Sequence, residues 1–317
     1  MKIYIVSALV SFTFSLLFCS IIIPLLKRIK AGQNILVYVK EHQNKSGTPT
    51  MGGIAFISAA LLSTVIFTKK IDRTVVLCLL IGISYMIIGL LDDLLKKKHK
   101  ENLGLRAWQK LFFQIAVAIF SGIYCIRSGL TYVYLPFIGT KLELGFWTFP
   151  FVVFVFIATV NAVNLTDGLD GLASAVGVPF FAILGILIAL NGKMAGLSNL
   201  SFCITGSLLA YLLFNVSPAS VFMGDTGSLA LGGFAASIAL FSGNAFYIPI
   251  LGVCFVFSVI SVIIQVIYYK VTRGKRVFLM APIHHHFQKK GYSESRIAYA
   301  YFLLTLIIGT ICLLNII

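Results

Sequence analysis

Residues 3–23 read IYIVSALVSFTFSLLFCSIII and contain no charged side chain. About 20 consecutive apolar residues in a helix span the hydrocarbon core of a bilayer. The run is longer than the apolar core of a secretion signal, and it lacks a small-residue cleavage site. It therefore predicts an uncleaved first membrane span.

Nine further apolar segments repeat this pattern along the chain. Together the ten segments predict an all-α integral membrane protein of about ten transmembrane helices, organised as a single polytopic domain over residues 1–317. The ninth segment is long and is predicted to be kinked or broken. The predicted spans are 3–23, 52–68, 75–91, 108–127, 147–163, 172–190, 198–214, 228–242, 246–269 and 297–317.

The composition indicates that lipid is the solvent for much of this chain. Hydrophobic residues make up 59% of it and charged residues 11%, whereas a soluble domain has about 25% charged residues. The six cysteines all lie in apolar runs without a CxxC pair, which indicates buried free thiols. Residues 131–144 (TYVYLPFIGTKLEL) carry β-type residues around a Pro–Gly turn and predict a small β-hairpin outside the bilayer.

Positive charge is distributed unevenly between the predicted loops. The loops 24–51, 92–107 and 270–296, together with Lys110, carry 18 of the 25 Lys and Arg residues. Cytoplasmic loops carry the excess of positive charge in membrane proteins, so these loops are predicted to be cytoplasmic and both termini to lie on the outer side. Because the charges sit in short loops between apolar runs, no binding to nucleic acid is expected.

Five aspartates lie at the ends of predicted helices on the predicted cytoplasmic side. An acid near lipid is costly and usually signals function, although a helix-end role explains any one of them alone. A cluster of carboxylates beside basic loops suits Mg²⁺ and a phosphorylated substrate. The five residues are Asp92, Asp93, Asp167, Asp170 and Asp225.

Two polar motifs contain three of these aspartates. Residues 161–171 (NAVNLTDGLDG) offer amides and carboxylates that suit a ribose, a uracil or metal-bound water. A capped turn between helices would explain the glycines of this motif but not its two Asn and two Asp together. In residues 222–228 (FMGDTGS), Asp225 is a candidate metal ligand. Phe222 suits stacking on a base, or anchoring at the membrane interface.

Two further motifs are ambiguous on their own. Residues 48–53 (TPTMGG) predict a turn followed by a helix start with small residues for tight packing. Residues 282–287 (PIHHHF) contain three consecutive histidines, which cannot all face one ion from a helix or strand. A zinc site is therefore disfavoured, and contacts from one or two histidines to phosphate or sugar are expected ahead of a merely solvated loop.

Taken together, the motifs resemble the polyprenyl-phosphate N-acetylhexosamine-1-phosphate transferases. The resemblance rests on KSGTPTMGG (45–53), LDD (91–93), NAVNLTDGLDGLA (161–173), FMGDTGS and PIHHHF. TPTMGG and the three-histidine loop point to the phospho-N-acetylmuramoyl-pentapeptide transferase branch. The chain departs from that pattern at residues 36–40 (LVYVK), at Gln288, where an acid is usual, and at residues 297–302 (IAYAYF).

The resemblance implies a reaction at the bacterial cytoplasmic membrane, in an active site formed by cytoplasmic loops. Phospho-N-acetylmuramoyl-pentapeptide would pass from UDP-MurNAc-pentapeptide to undecaprenyl phosphate with the help of Mg²⁺. The products would be lipid I and UMP, in the first membrane step of peptidoglycan synthesis. Family members are commonly dimers, so a homodimer is expected.

Two other functions compete with this one. A UDP-GlcNAc:polyprenyl-phosphate GlcNAc-1-phosphate transferase would share the Asp and Asn motifs. A cation-coupled transporter would place its ionisable residues near mid-bilayer. For an enzyme, direct attack by the lipid phosphate is expected, and a covalent phospho-sugar on an aspartate is the alternative.

The resemblance also implies residue roles. Asp225 would coordinate Mg²⁺, and Asp92 would deprotonate or orient the lipid phosphate, with Asp93 beside it. Phe222 would stack on uracil. The other implied contacts are Asn161, Asn164, Asp167, Gly168 and Asp170 near the nucleoside and metal, Lys45, Thr50 and Ser228 lining the site, and His284 and His285 at the sugar-phosphate.

Overall fold

A computed structural model describes residues 1–29, 47–68, 72–98, 104–192 and 194–314. These residues form twelve α-helices and one two-stranded hairpin. The helices are α1 (Lys2–Arg28), α2 (Gly53–Phe67), α3 (Arg73–Lys98), α4 (Ala107–Arg127), α5 (Thr148–Thr166), α6 (Leu172–Asn191), α7 (Ala195–Asn215), α8 (Gly224–Phe241), α9 (Ile248–Leu251), α10 (Val253–Val271), α11 (Ile283–Lys289) and α12 (Glu294–Leu314), and the strands are β1 (Tyr132–Tyr134) and β2 (Lys141–Glu143).

The predicted all-α membrane architecture is confirmed. Eight helices among the described residues are long and apolar enough to cross a membrane: α1, α3, α4, α5, α6, α7, α10 and α12. The apolar helix α2 has 15 residues and is shorter than these. Over the described residues, nine of the ten predicted apolar segments overlap one helix each, and the ninth segment overlaps α9 and α10. Hydropathy over about 20 residues is a local property that the sequence displays directly.

The ninth predicted segment is broken, as expected. A 3-10 turn at Ala245–Tyr247 leads into the short helix α9, and Gly252 separates α9 from α10. The φ and ψ angles of Gly252, −96° and 31°, are not those of a continuous helix. The chain therefore changes direction within this apolar segment.

The predicted hairpin is also present. Strands β1 and β2 pair antiparallel, with Tyr132 opposite Glu143 and Tyr134 opposite Lys141. The Lys141 ammonium lies 4.3 Å from the centre of the Tyr132 ring, so a cation–π contact adds to the backbone pairing.

Helix α8 is the centre of the bundle. Every residue from Thr226 to Phe241 is buried, and α2, α3, α5 and α6 pack around it. Glycines permit the close approach: Gly53 of α2 faces Gly227, and Gly89 of α3 lies against the backbone of Asp225. Small residues at such crossings let helix backbones pack closely where apolar burial between helices gives little driving force.

Helices α1 and α7 run parallel and are joined by a ladder of serines. Ser7 donates to Asn199 Oδ1 at 2.6 Å, Ser11 to the Cys203 carbonyl at 2.7 Å and Ser15 to the Ser207 carbonyl at 2.8 Å. Serines spaced four residues apart lie on one face of a helix, which explains the regular ladder. Six connections lie between α1 and α7 in the chain. If the chain reverses direction at each of them, α7 runs in the same direction as α1, as observed.

The loops before α2 and α8 are held together by backbone hydrogen bonds. The Phe222 amide donates to the Pro49 carbonyl at 2.8 Å, and the Gly52 amide donates to the Phe222 carbonyl at 2.9 Å. This pairing brings the TPTMGG motif next to the FMGDTGS motif at the N-terminal end of α8.

We predict that Gly89→Ala destabilises the bundle. The added methyl group would overlap the backbone of Asp225 and push α3 away from α8. Overpacking of this kind costs about 1–3 kcal/mol in free energy of unfolding. Ile87→Ala on the exposed face of α3 is the control. Thermal unfolding in detergent should show a lower Tm for Gly89→Ala than for both the control and the wild type; equal values for all three would contradict the packing argument.

Candidate active site

The carboxylate of Asp225 is the meeting point of four helices. Its Oδ2 accepts hydrogen bonds from Lys96 Nζ of α3 at 2.9 Å and Lys110 Nζ of α4 at 2.8 Å. Its Oδ1 accepts one from Asn164 Nδ2 of α5 at 2.7 Å. Asp225 itself stands in the first turn of α8, where the helix dipole favours a negative charge. The Asp225 side chain is only 13% exposed, so these partners replace much of its hydration.

Asp92 lies one helical turn before Lys96 on α3. Its Oδ1 accepts a hydrogen bond from the Leu105 amide at 2.7 Å. Its Oδ2 forms an ion pair with Lys96 Nζ at 2.6 Å. Lys96 therefore bridges the carboxylates of Asp92 and Asp225.

Asp93 caps the central helix α8 from a neighbouring helix. Its Oδ1 accepts from the Asp225 amide at 3.2 Å, and its Oδ2 accepts from the Thr226 amide at 2.9 Å and from Thr226 Oγ1 at 2.6 Å. The first amides of a helix lack partners within it, so a carboxylate placed there stabilises the helix end. Asp93 thereby fixes the backbone position of Asp225.

The three carboxylates together fit a divalent cation. One oxygen from each of Asp92, Asp93 and Asp225 lies within 4.8 Å of the others. Hard oxygen donors are the ligands that Mg²⁺ and similar ions prefer, and Mg²⁺ needs only one or two carboxylates if phosphate oxygens and waters fill the remaining positions. The donor set is therefore that of a hard-metal site.

Asn164, Ser228 and Thr50 border this cluster. Asn164 Nδ2 also donates to Ser228 Oγ at 2.8 Å, and Lys110 Nζ lies 3.3 Å from Asn164 Oδ1. Gly224, with φ +72°, is packed so closely that a methyl group built on it would lie 2.6 Å from Thr50 Oγ1 and 2.5 Å from Asp93 Oδ2. Of the residues singled out from the sequence, six are thus in one place: Asp92, Asp93, Asp225, Asn164, Ser228 and Thr50.

Three other predicted site residues, Asn161, Asp170 and Phe222, form hydrogen bonds with other parts of the chain. Asn161 Nδ2 donates to Gln114 Oε1 of α4 at 2.8 Å, one turn away from the carboxylates. Asp170 is buried, and its Oδ2 accepts from the Ala219 amide at 3.1 Å. Phe222 is half-buried, and its backbone pairs with the loop before α2. Lys45 lies outside the described residues.

Asp167, Gly168 and the histidines of α11 form a second group. A methyl group built on Gly168 would lie 2.6 Å from His284 Nε2 and 2.9 Å from His285 Nε2, so both rings face this loop. Desolvation raises the pKa of Asp167 well above its ordinary value, and the charges of Asp225, Asp93 and Asp170 raise it further. Asp167 nevertheless keeps part of its surface exposed.

His284 is fully buried, and neither of its ring nitrogens has a hydrogen-bond partner among the described residues. Burial lowers the pKa of the imidazole to about 3, with a further contribution from the neighbouring His285 ring, whose centre is 4.5 Å away. The ring is therefore neutral at physiological pH, and it offers one N–H donor and one acceptor nitrogen.

Sequence reasoning missed several residues of this region. Lys110 contributed only to the prediction of membrane orientation, whereas in the structure its ammonium group contacts the Asp225 carboxylate. A lysine at the edge of an apolar span is costly near lipid. The position of Lys110 was therefore a sequence signal for a functional role. Gln114 and Glu294 carried no such signal, because their partners Asn161 and Asp170 lie at least 47 positions away along the chain.

Comparison with known proteins agrees with the motifs. The family model for Glycosyl transferase family 4 matches residues 74–243, and that for Phospho-N-acetylmuramoyl-pentapeptide-transferase signature 1 matches residues 45–57. The chain is 46% identical over 305 residues to the phospho-N-acetylmuramoyl-pentapeptide-transferase of Clostridium botulinum (strain Eklund 17B / Type B), covering 95% of this chain and 92% of the relative.

Two further relatives carry the same name. The protein of Thermoanaerobacter sp. (strain X514) is 43% identical over 307 residues, covering 96% of this chain and 95% of the relative. That of Clostridium acetobutylicum is 43% identical over 328 aligned positions, covering 100% of both chains. Because the match has this identity along nearly the whole length of each relative and includes the family signature, the chain belongs to the phospho-N-acetylmuramoyl-pentapeptide-transferases, multi-pass membrane phosphotransferases within glycosyl transferase family 4.

Proposed function

We propose that this chain transfers phospho-N-acetylmuramoyl-pentapeptide from its UDP donor to undecaprenyl phosphate, giving lipid I and UMP in the first membrane step of peptidoglycan synthesis. Membership of the transferase family supports this reaction. The observation that carries the chemistry is the convergence of Asp92, Asp93 and Asp225 with Lys96 and Lys110. Transfer between two phosphates needs opposing charges to be positioned and neutralised at one point.

Asp225 is the proposed Mg²⁺ ligand, assisted by Asp92 and Asp93. When bound, Mg²⁺ would supply positive charge to offset that of the donor pyrophosphate and of the leaving UMP. Lys96 and Lys110 lie within hydrogen-bond distance of the Asp225 carboxylate and are proposed to contact phosphate oxygens of the substrates. The same end of the bundle therefore holds both the ligands for the cation and the counter-charges for the substrate.

Asp92 is proposed to act on the acceptor. Its carboxylate belongs to the metal-binding cluster and is ion-paired with Lys96 through Oδ2, and it is proposed to accept a proton from the polyprenyl phosphate or to orient it. An oxygen of that phosphate then forms a bond to the phosphorus that carries the sugar. The bond from this phosphorus to the bridging oxygen breaks, and that oxygen leaves with UMP. Asp93 positions Asp225 through the cap on α8.

The donor nucleotide is proposed to lie beside the metal ligands. Thr50, Asn164 and Ser228 border the carboxylates, and Phe222, which is half-buried, is proposed to stack on uracil. Lys45 belongs to the matched signature and is proposed to line the same site.

The remaining predicted residues are assigned by their contacts. Asn161 and Asp170 are proposed to hold α4 and the loop before α6 in position, since their hydrogen bonds go to protein. Asp167, Gly168, His284 and His285 are proposed to face the sugar-phosphate part of the donor.

The proposed membrane arrangement follows from charge and helix direction. Adding α2 and α8 to the eight long helices gives ten spans within one polytopic domain. The active site then lies at the cytoplasmic end, beside the basic loops, and both termini lie outside. Helices α1 and α7 run parallel, which supports an even number of membrane crossings between the start of α1 and the start of α7. A homodimer is proposed from the resemblance to the family.

We predict that detergent-solubilised protein forms a lipid-linked product and UMP from UDP-MurNAc-pentapeptide and undecaprenyl phosphate, and that EDTA abolishes the reaction until Mg²⁺ is restored. A parallel assay with UDP-GlcNAc serves as the comparison. Turnover of UDP-GlcNAc alone would contradict the proposed donor, and absence of UMP release with both donors would contradict the assignment as an enzyme. Activity that persists in EDTA would contradict the requirement for a metal ion.

Asp225→Asn is predicted to lower kcat at saturating Mg²⁺ by at least about a hundredfold, because it removes the charge on which Lys96, Lys110 and the cation depend. The matched control is Asp72→Asn, since Asp72 caps α3 at its opposite end through the Val75 amide and Asn caps equally well. The measurement is UMP release at several Mg²⁺ concentrations. A rate for Asp225→Asn close to that of the control would contradict the ligand role.

The neutral His284 predicts a pH dependence of stability. Its folded pKa of about 3 lies below the ordinary value of 6.5, so the unfolded chain binds more protons between these values. Above pH 6.5 this difference does not affect the free energy of unfolding. Below pH 6.5 the free energy of unfolding decreases as the pH falls, by up to about 1.4 kcal/mol per pH unit. Below pH 6.5, the Tm of His284→Gln should therefore depend less on pH than that of the wild type. His286→Gln controls for removing a histidine from α11, and equal slopes for wild type and His284→Gln would contradict the prediction.

A further inference from the structure

The second half of helix α10 is exposed on most of its circumference. No residue from 262 to 271 is buried. The four buried residues of α10 all lie in its first half: Cys254, Phe255, Ser258 and Ser261. Successive side chains point about 100° apart around a helix, so the exposed apolar residues of the second half face several directions. They include Ile263, Ile264, Val266, Ile267 and Tyr269, which are between 42% and 57% exposed, and Val271, which is 77% exposed.

The remaining face of this half is covered by the chain that follows it. Gln265 Oε1 accepts hydrogen bonds from the Val277 and Phe278 amides at 3.2 and 3.0 Å, and Gln265 Nε2 donates to the Phe278 carbonyl at 3.2 Å. The chain therefore reverses after α10 and runs back along the Gln265 face. Val277 and Leu279 of this returning segment are themselves about half exposed. We call residues 262–279, which comprise the exposed half of α10, its turn and the returning segment, the arm.

The turn at the end of the arm is strongly basic. Arg273 and Gly274, with φ angles of +52° and +118°, lie at the reversal of the chain. Four basic residues occur within seven positions here, and all four are exposed. The sequence has no acidic residue between Asp225 and Glu294, and none of the four takes part in an ion pair among the described residues. The four basic residues are Lys270, Arg273, Lys275 and Arg276.

Anionic lipid fits both parts of the arm. An apolar helix that is exposed on several sides is unfavourable in water, and α10 is one of the helices that are long and apolar enough to cross a membrane. A protein partner covers one side of a helix, whereas lipid chains cover all of its exposed sides together. Clusters of four or more basic residues next to a membrane span attract anionic lipid headgroups. The arm combines the two features, because its apolar sides lead directly to the basic turn.

We propose that the arm is a binding site for anionic phospholipids. Their acyl chains cover the exposed sides of α10, and the four basic residues hold headgroup phosphates at the turn. Ammonium and guanidinium groups donate charge-assisted hydrogen bonds to phosphate oxygens. The returning segment, which Gln265 fixes against α10, keeps the turn at the end of the helix and its four charges together. The inference is independent of the proposed reaction, because it concerns a surface outside the carboxylate cluster.

The test uses tryptophan fluorescence at the end of the arm. The chain has two tryptophans, Trp108 and Trp147, and both are exposed. Replacing both by Phe and introducing Val271→Trp leaves one tryptophan beside the basic turn. The protein is placed in vesicles of equal parts phosphatidylglycerol and phosphatidylcholine, with one or the other lipid brominated. We expect both brominated lipids to quench the fluorescence, and phosphatidylglycerol to bind about threefold more strongly. The preference should weaken in 1 M salt, where the Debye length is about 3 Å.

Two controls separate the effect of the four charges from that of the apolar surface. In the first, Gln replaces all four basic residues in the Val271→Trp chain. We expect both lipids still to quench its fluorescence, with no preference for phosphatidylglycerol. In the second, Trp108→Phe leaves Trp147 as the reporter. Residues 142–192 around it contain no Lys or Arg, so no preference is expected there either.

Equal quenching of Val271→Trp by the two brominated lipids would overturn the inference, and the four charges would then serve only to set orientation. Absence of quenching by either lipid would also overturn it, since a second copy of the chain or water would then cover the arm. A preference that persists without the four charges would contradict their role. If the fourfold variant does not fold, Lys275→Gln with Arg276→Gln replaces it and should lower the preference by about half. The readout needs no turnover, so failure of the proposed function is recognised separately by the absence of UMP release.

Discussion

The structure depends on keeping a charged carboxylate at the start of a buried helix. Asp225 opens α8, whose residues from Thr226 onward are buried. An isolated charge in such surroundings is strongly unfavourable, and it is tolerated only with hydrogen bonds and opposite charges. The bundle supplies both: two lysine ammonium groups, one asparagine amide and the favourable end of a helix dipole. Three neighbouring helices must therefore reach the same point.

The packing of the helices follows from that requirement. Asp93 caps the first amides of α8, which is possible only if α3 lies very close to it, and Gly89 provides the space. Gly53 and Gly227 allow α2 to cross at the same level, and this brings Thr50 next to Gly224. Side chains larger than hydrogen at these crossings would separate the helices before the carboxylates could meet. The glycines of the motifs are therefore as necessary to the site as its acids.

Features that depend on local sequence were predictable, and features that depend on pairing between distant residues were not. The helices, the break at Gly252 and the β1–β2 hairpin follow from hydropathy and turn residues within short segments. The aspartates were identified as a group because their positions at helix ends are visible in the sequence. The specific partners were not visible: the cap from Asp93 to Thr226 joins residues 133 positions apart, and the bond from Glu294 to Asp170 joins residues 124 positions apart. The burial of His284 likewise depends on a loop that folds against it from elsewhere in the chain.

The balance of charge at the carboxylate cluster bears directly on the proposed binding of an anionic nucleotide. Counted as ionised, Asp92, Asp93 and Asp225 carry three negative charges against the two positive charges of Lys96 and Lys110. This net negative site would repel a pyrophosphate. A divalent cation held by the carboxylates would reverse the sign to one net positive charge, and the ammonium groups would then be counter-charges for phosphate. Because electrostatic interactions are strong where water is scarce, this reversal would make the proposed binding of the donor depend on the cation.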